Sequence, residues 1–387
     1  MATFKEFSAE DIKTSKAFLN QLVDILHSDI SSSISRRKYQ VWVTGGVGPG
    51  VTSSLFQTVY DQDFTLQTAN PVFDITIGLH RSSSVLGNAG TEYTIDANGN
   101  LFFVSQSLMM REKINLYRQF AATLLGDANA RFSFQEGSTT NYIDEALFIC
   151  FRRLFARDQI KRETFAIQLF TSASTINTAS YSAANSKIYT DIGSSVNKEI
   201  TFGGNISAIV NSSDTTKQVG ILFIDRRVLV MDMKKVFSQV NSAGGNLAGT
   251  IKAVSPGGTE NFNGTFNQFL FSASIDDILD HICVAHFSSS AQTAITFQNI
   301  TNINSTLFFC RASADEFNYS SNPTYIDSDN RIIVIDPGQE ESQRSFTFIT
   351  SIGLYDANDN LLAVAKLSRP VLKDDSRDLT FRVRLDF

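Results

Sequence analysis

Four stretches of this chain carry residue types at spacings that chemistry uses. The first is Thr44–Thr52 (TGGVGPGVT). Aligned with the phosphate-loop pattern G-x-x-x-x-G-K-[ST], it offers Gly45, Gly50, Val51 and Thr52. Such a loop brings backbone N–H groups onto phosphate oxygens, with a lysine reaching the β/γ oxygens and a hydroxyl holding Mg²⁺. Val51 stands where the lysine belongs, and Pro49 removes one of the donors. The residues that follow, Leu55–Asp63, lack a helical pattern. A flexible Gly/Ser/Thr loop is the expectation, without nucleotide.

The second stretch is His281-Ile-Cys283-Val-Ala-His286. A zinc site wants about four nitrogen or sulfur ligands. His281 and Cys283 are two positions apart, which on a helix separates them around the axis, and the other Cys and His residues lie far off in sequence. Packing is expected, not metal. The third, Asp276, Asp277 and Asp280, sets carboxylates at helical spacing. General acid–base work needs a partner within hydrogen-bond reach of the moving proton, and no nucleophile or base accompanies them. The fourth, Asp356-x-Asn358-x-Asn360, opens like a calcium loop. Leu361 replaces the required glycine, and the twelfth position, Leu367, is not an acid. Asp96-x-Asn98-x-Asn100 repeats the turn without the ligand. No catalytic, cofactor-binding or metal-binding residue is therefore expected, no cofactor is implied, and the chain is not expected to be an enzyme.

The elements that would position these residues form an α+β chain, rich in strand. Ser8 and Asp11 make a short capping box, and Ile12, Phe18, Leu22, Ile25 and Leu26 follow at helical spacing, which predicts an opening helix. Tyr39–Val43 and Asp74–His80 read as strands, and Thr91–Asp96 with Leu101–Val104 as a hairpin. Apolar spacing predicts helices over about 106–126 and about 141–157, the latter bearing Arg152, Arg153 and Arg157 on a solvated face near its C-terminus. Thr164–Phe170 is a predicted strand. A Ser/Thr/Ala/Asn-rich run from Thr171 to Asn197 reads as variable loop. Val219–Ile224 and Val228–Met233 make a hairpin around Asp225-Arg-Arg227. Gly244–Gly264 is again loop-like, and Ser274 caps a short helix. From Thr293 onward the pattern is strand and turn, including Ile295–Ile300, Thr306–Arg311, Tyr325–Asp327 and Arg331–Ile335. Composition shifts suggest an N-terminal α+β region (1–160), a loop-rich β middle (161–290) and a C-terminal β domain (291–387).

The last stretch, Ser345–Phe387, is the most regular. Phe346, Phe348, Ile352 and Leu354 lead to the Asp356–Asn360 turn, and Leu361, Leu362, Val364 and Leu367 lead away. Leu379, Phe381, Val383, Leu385 and Phe387 then alternate with Thr380, Arg382, Arg384 and Asp386. Successive strand side chains point to opposite sides, so one face should be buried, with Phe381 and Phe387 its aromatic anchors.

Ser351–Pro370, together with Asp315–Pro323 (DEFNYSSNP) and, near the other end, Arg36–Gln40 (RRKYQ) and Val59–Asp74, resembles structural proteins of contractile-tailed bacteriophages. The likeness is to tail or baseplate components of phages infecting marine cyanobacteria. It implies a virion protein of the tail, made in the host cytoplasm, whose partners are other tail and baseplate proteins and copies of itself. The strings are unbroken runs without a catalytic signature, so they speak to role and not to chemistry.

Composition fits such a role. Charged residues make up 19% of the chain, below the usual ~25%, while 32 Phe stand against one Trp and ten Tyr. A net charge of −6 gives no basic footprint for nucleic acid. Arg36-Arg37-Lys38 reads as the solvated flank of a strand. Cys150, Cys283 and Cys310, an odd number inside apolar runs, read as reduced and buried. The opening MATFKEFSAEDIK has no apolar signal core, and no run approaches the ~18 apolar residues of a membrane span, so no membrane insertion is expected. Two other readings are a capsid or neck protein, and a carbohydrate-binding or hydrolytic tail module acting on the host envelope. The latter would want clustered aromatic platforms, and Trp42 alone is poor support.

Overall fold

A computed structural model describes residues 4–43, 51–88, 94–95, 101–102, 105–136, 138–170, 186–237, 251–254, 260–264 and 266–386. The chain is α+β and mostly β, with 48% strand against 16% helix. It forms two compact units, one of Asn20–Thr301 and one joining Met1–Leu19 to Asn302–Phe387. The expected segments 1–160 and 161–290 do not part from each other. They supply adjacent strands, Glu145–Phe151 and Val228–Asp232, to one sheet.

In the larger unit that antiparallel sheet runs from residues 293–301 of the strand Thr293–Ala312 through Ala166–Phe170, Ser186–Thr190, Gly204–Asn211, Asp214–Phe223, Val228–Asp232, Glu145–Phe151, Pro71–Leu79, Val51–Tyr60 and Arg36–Val43. Its middle is covered on both sides. Leu147, Ile149, Leu229, Met231, Ile75 and Ile77 join one core with Ile278, Leu279 and Ile282 of the helix Ile275–Ala285. Their neighbours Ala146, Phe148, Val228 and Val230 join a second core with Tyr117, Ala121 and Leu124 of the helix Ser105–Leu125. Alternate residues of one strand thus feed two cores, as the pleat dictates. Phe120 stacks on Phe148 at 4.0 Å between ring centres. Gly78 permits this approach, because a Cβ there would lie 2.9 Å from the Phe148 ring and from the Tyr117 backbone nitrogen.

The covered middle explains one correction. The stretch read as a helix over about 141–157 is two strands, Thr139–Ile143 and Glu145–Phe151. A strand buried on both faces reads as a continuous apolar run, which periodicity alone does not separate from a buried helix. Arg152 accordingly follows a strand and donates to Asp74 at 2.7 Å. The opening helix is also corrected. The Ser8–Asp11 box forms, with Ser8 N and Oγ donating to Asp11 Oδ2 at 3.0 and 2.7 Å, but it closes a single 3₁₀ turn, Ala9–Asp11. Ile12–Leu26 is then one 15-residue strand. Its buried apolar residues, Val23 and Ile25, keep period two, while Phe18 and Leu22, which suggested a helix, are exposed. The helices Ser105–Leu125 and Ile275–Ala285 and the Asp225–Arg227 hairpin stand as expected, Arg227 taking a φ of 58°. Ser186–Thr190, inside the expected loop-rich run, pairs as a strand with Ala166–Phe170. The expected strands at 295–300 and 306–311 are one, Thr293–Ala312.

In the smaller unit, Ser305–Ala312 pairs with Leu379–Asp386, and Phe346–Tyr355 pairs with Leu361–Asp374 as a separate two-stranded ribbon. The expected strands around Tyr325 and Arg331 reduce to one bridge, Ile326 to Ile332. The terminal alternation holds: Val383 is buried, Leu379, Phe381 and Leu385 are half-buried, and Thr380, Arg382, Arg384 and Asp386 are exposed. Val383, not Phe381, is the deepest of them, and Phe387 lies outside the described residues.

Candidate functional sites: buried ionic centres and exposed apolar strands

The paired carboxylates of the helix Ile275–Ala285 find partners far away in sequence. Ser274 caps the helix by accepting from Asp277 N at 3.1 Å. One turn apart, Asp276 and Asp280 meet Gln57, whose Nε2 donates to an oxygen of each at 3.1 Å. Arg36 Nη1 donates to Asp280 Oδ1 at 2.9 Å and to Gln57 Oε1 at 2.7 Å, and Lys38 Nζ donates to Asp280 Oδ2 at 2.6 Å. Arg36 is 6% exposed and Asp280 3%, so Arg36 is no solvated strand flank. Burial pushes the Asp280 carboxyl upward, but the Lys38 hydrogen bond and the two cations outweigh it and hold the group below its ordinary range. Every partner is engaged, which suits a clamp between helix and sheet better than proton transfer.

His281 and Cys283, on the same helix, and His286, its C-cap, are buried in the core. Their rings and thiol serve packing: the two imidazoles meet edge-on at 5.9 Å, and His286 Nδ1 lies 2.7 Å from the Phe170 carbonyl, to which it donates. Burial drives His281 down to about 3, with the neighbouring His286 adding to the effect, and His286 itself to about 4, so both are neutral. Burial lifts Cys283 to about 11, leaving a thiol and not a nucleophile. Cys150 and Cys310 are half-buried, less deep than expected. Among the described residues no group of three or more His, Cys, Asp or Glu is placed to hold a metal.

Several buried ionic groups escaped sequence reasoning, Lys113, Asp232 and Glu145 among them. Lys113 is fully buried, and its ammonium donates to the carbonyls of Leu270, in the last turn of the helix Phe266–Ser272, and of Ala273, just past it, at 2.7 and 2.6 Å. Burial lowers it to about 7. Its signal was its place four residues before the core residue Tyr117 on one helix face. Asp232 is lifted to about 6 by burial and by the nearby Glu145, while its Oδ1 accepts from Lys234 N at 2.9 Å. Glu145 pairs with Lys234 Nζ at 2.9 Å.

Asp356 folds a turn: its Oδ1 accepts from Asn358 N and Asn360 N, each at 2.8 Å, and its Oδ2 accepts from Asn360 Nδ2 at 3.0 Å. The Asn360 hydrogen bonds lower its pKa. Asp359 takes the left-handed φ of 61° that Asp tolerates. The glycine-loop residues 44–50 and the Asp96–Asn100 turn lie outside the described residues. Val51–Tyr60, which follows the glycine loop, is a strand, whereas a phosphate loop opens a helix.

The exposed apolar residues gather on strands. Phe18, Leu19 and Leu22 are open to solvent on Ile12–Leu26, an end strand of the sheet order. Tyr355, Leu361, Leu362 and Val364 are open on the ribbon. The chain matches no protein-family model, no curated protein and no solved structure. Among the described residues, no helix is long and apolar enough to cross a membrane.

Proposed function

We propose that this chain is a non-enzymatic structural protein of a phage virion, a baseplate component of a contractile tail that acts by assembling with neighbouring tail proteins and with copies of itself. The observation that carries the reading is the end strand Ile12–Leu26, exposed at every residue from Ile12 to Leu22 and bearing Phe18, Leu19 and Leu22. A long apolar edge strand is a template for pairing, which monomeric proteins blunt with charge, proline or a covering element. Here it carries Lys13 and Lys16 near its start and no proline. The resemblance of Ser351–Pro370, Asp315–Pro323 and Val59–Asp74 to tail proteins supplies the setting. The buried polar and ionic groups support a structural role, since Asp280, Lys113 and the neutral His286 are each engaged by protein partners. Negative-stain imaging of virions labelled with an antibody to this chain tests the reading. Label at the baseplate end of the tail is expected; label on the capsid or neck, or its absence from virions, overturns it.

A further inference from the structure

The ribbon Phe346–Tyr355/Leu361–Asp374 has one face whose residues follow a self-complementary order. Its register pairs Gly353 with Val364, Leu354 with Ala363 and Ile352 with Ala365. Leu354 is buried and Ile352, Ala363 and Ala365 are half-buried, so that side is packed. The opposite side is open: Leu361 is 52% exposed, Leu362 68%, Val364 54% and Tyr355 43%. Gly353 sits at its centre, and the Tyr355 ring lies over it, 2.8 Å from where a Cβ would stand. Phe4 extends the patch by an edge-on contact with Tyr355 at 5.0 Å.

Charge brackets this patch asymmetrically. The exposed acid Asp359 lies at the turn end, and the exposed bases Lys366 and Arg369 lie at the other. Asp359 lies in the turn before the strand Leu361–Asp374, and Lys366 is the sixth residue of that strand. Read from the turn end, the order is acid, apolar, base. Two such faces laid antiparallel set acid against base at both ends and apolar against apolar between, which is the requirement for an isologous twofold contact. A two-stranded ribbon is itself marginal in water, so covering its open face stabilises it.

We propose that the occupant of this face is the same face of a second copy of the chain, related by a twofold axis near Leu362–Val364, with Asp359 of each copy beside Lys366 of the other. The inference rests on the assembly reading and names one partner within it. The patch is small beside the ~1,200–2,000 Å² of a standard interface, so the contact is weak and salt-sensitive when it acts alone.

Sedimentation equilibrium of the full chain at low ionic strength tests it, with circular dichroism checking that each variant is folded. The wild-type chain should dimerise, and added salt should weaken the dimer. Asp359→Lys sets two ammonium groups against each other at both ends of the contact, and Lys366→Glu sets two carboxylates there. Each variant alone should therefore be monomeric where the wild type is dimeric. In an equimolar mixture each variant meets the opposite charge on the other, and the dimer should return as a heterodimer. A wild-type chain that stays monomeric throughout, or a mixture that stays monomeric, overturns the proposal. Such a result leaves the tail reading standing if antibody still labels the baseplate, so the two fail separately.

Discussion

The central strands of the large sheet and the ribbon Phe346–Tyr355/Leu361–Asp374 are both antiparallel pairs, yet they resolve opposite problems. Glu145–Phe151 and Val228–Asp232 hide apolar residues on both faces and bring charges into the interior, where each charge must be met. The ribbon buries one charge, Lys373, which donates to the Ala314 and Asp374 carbonyls and to Asn318 Oδ1, and leaves apolar residues uncovered on its open side. Stability is concentrated in the first region and unsatisfied surface in the second. The difference is one of burial: the first region meets its needs within the chain, and the second leaves apolar side chains open.

Breaking the interior should cost most. Asp280→Ala leaves Arg36 buried without its carboxylate, a loss of about 3–5 kcal/mol by urea denaturation. Phe148→Ala should cost a similar ~3–5 kcal/mol, since the ring contacts Phe120, Tyr117 and Phe132 across the second core. A value under ~1 kcal/mol for either would show that the interior is looser than its contacts indicate.

A smaller effect comes with pH. The Asp232 pKa rises to about 6 on folding, from an ordinary 3.8. Between those values the folded chain holds more protons than the unfolded one, so stability falls as pH rises through this window. The shift corresponds to about 2–3 kcal/mol at 1.36 kcal/mol per unit. Asp232→Asn should therefore raise stability at pH 8 relative to wild type by more than it does at pH 4. An equal effect at both pH values would mean that the carboxylate is not strained by burial.

In the smaller unit, Val383→Ala removes two methylene equivalents from a buried position, about 1.5 kcal/mol. Leu362→Ser on the open face of the ribbon should leave the isolated chain within ~0.5 kcal/mol. A larger loss there would place Leu362 in the monomer's own core and weaken the comparison.

What the sequence revealed follows the same division. Turns were legible because their chemistry is local: Asp356–Asn360 forms its hydrogen bonds within five residues, and Asp225–Arg227 closes its hairpin next door. The alternation of Leu379–Asp386 was legible because one of its faces is wet. Glu145–Phe151 was not, because burial on both faces erases the period that separates strand from helix. Ile12–Leu26 misled for the opposite reason, since most of its apolar residues answer to no core of this chain. The partners of Asp280 were beyond reach, with Arg36 lying 244 positions away. The carboxylates could be seen and their neutralisation could not.

Amide hydrogen exchange on the isolated chain tests the central contrast most directly. Glu145–Phe151 and Val228–Asp232 should exchange slowest, Leu379–Asp386 faster, and the open strand Leu361–Asp374 fastest, gaining protection at concentrations where the proposed dimer forms. Protection of Leu361–Asp374 in the monomer equal to that of Glu145–Phe151 would contradict the account, because the ribbon would then need no partner.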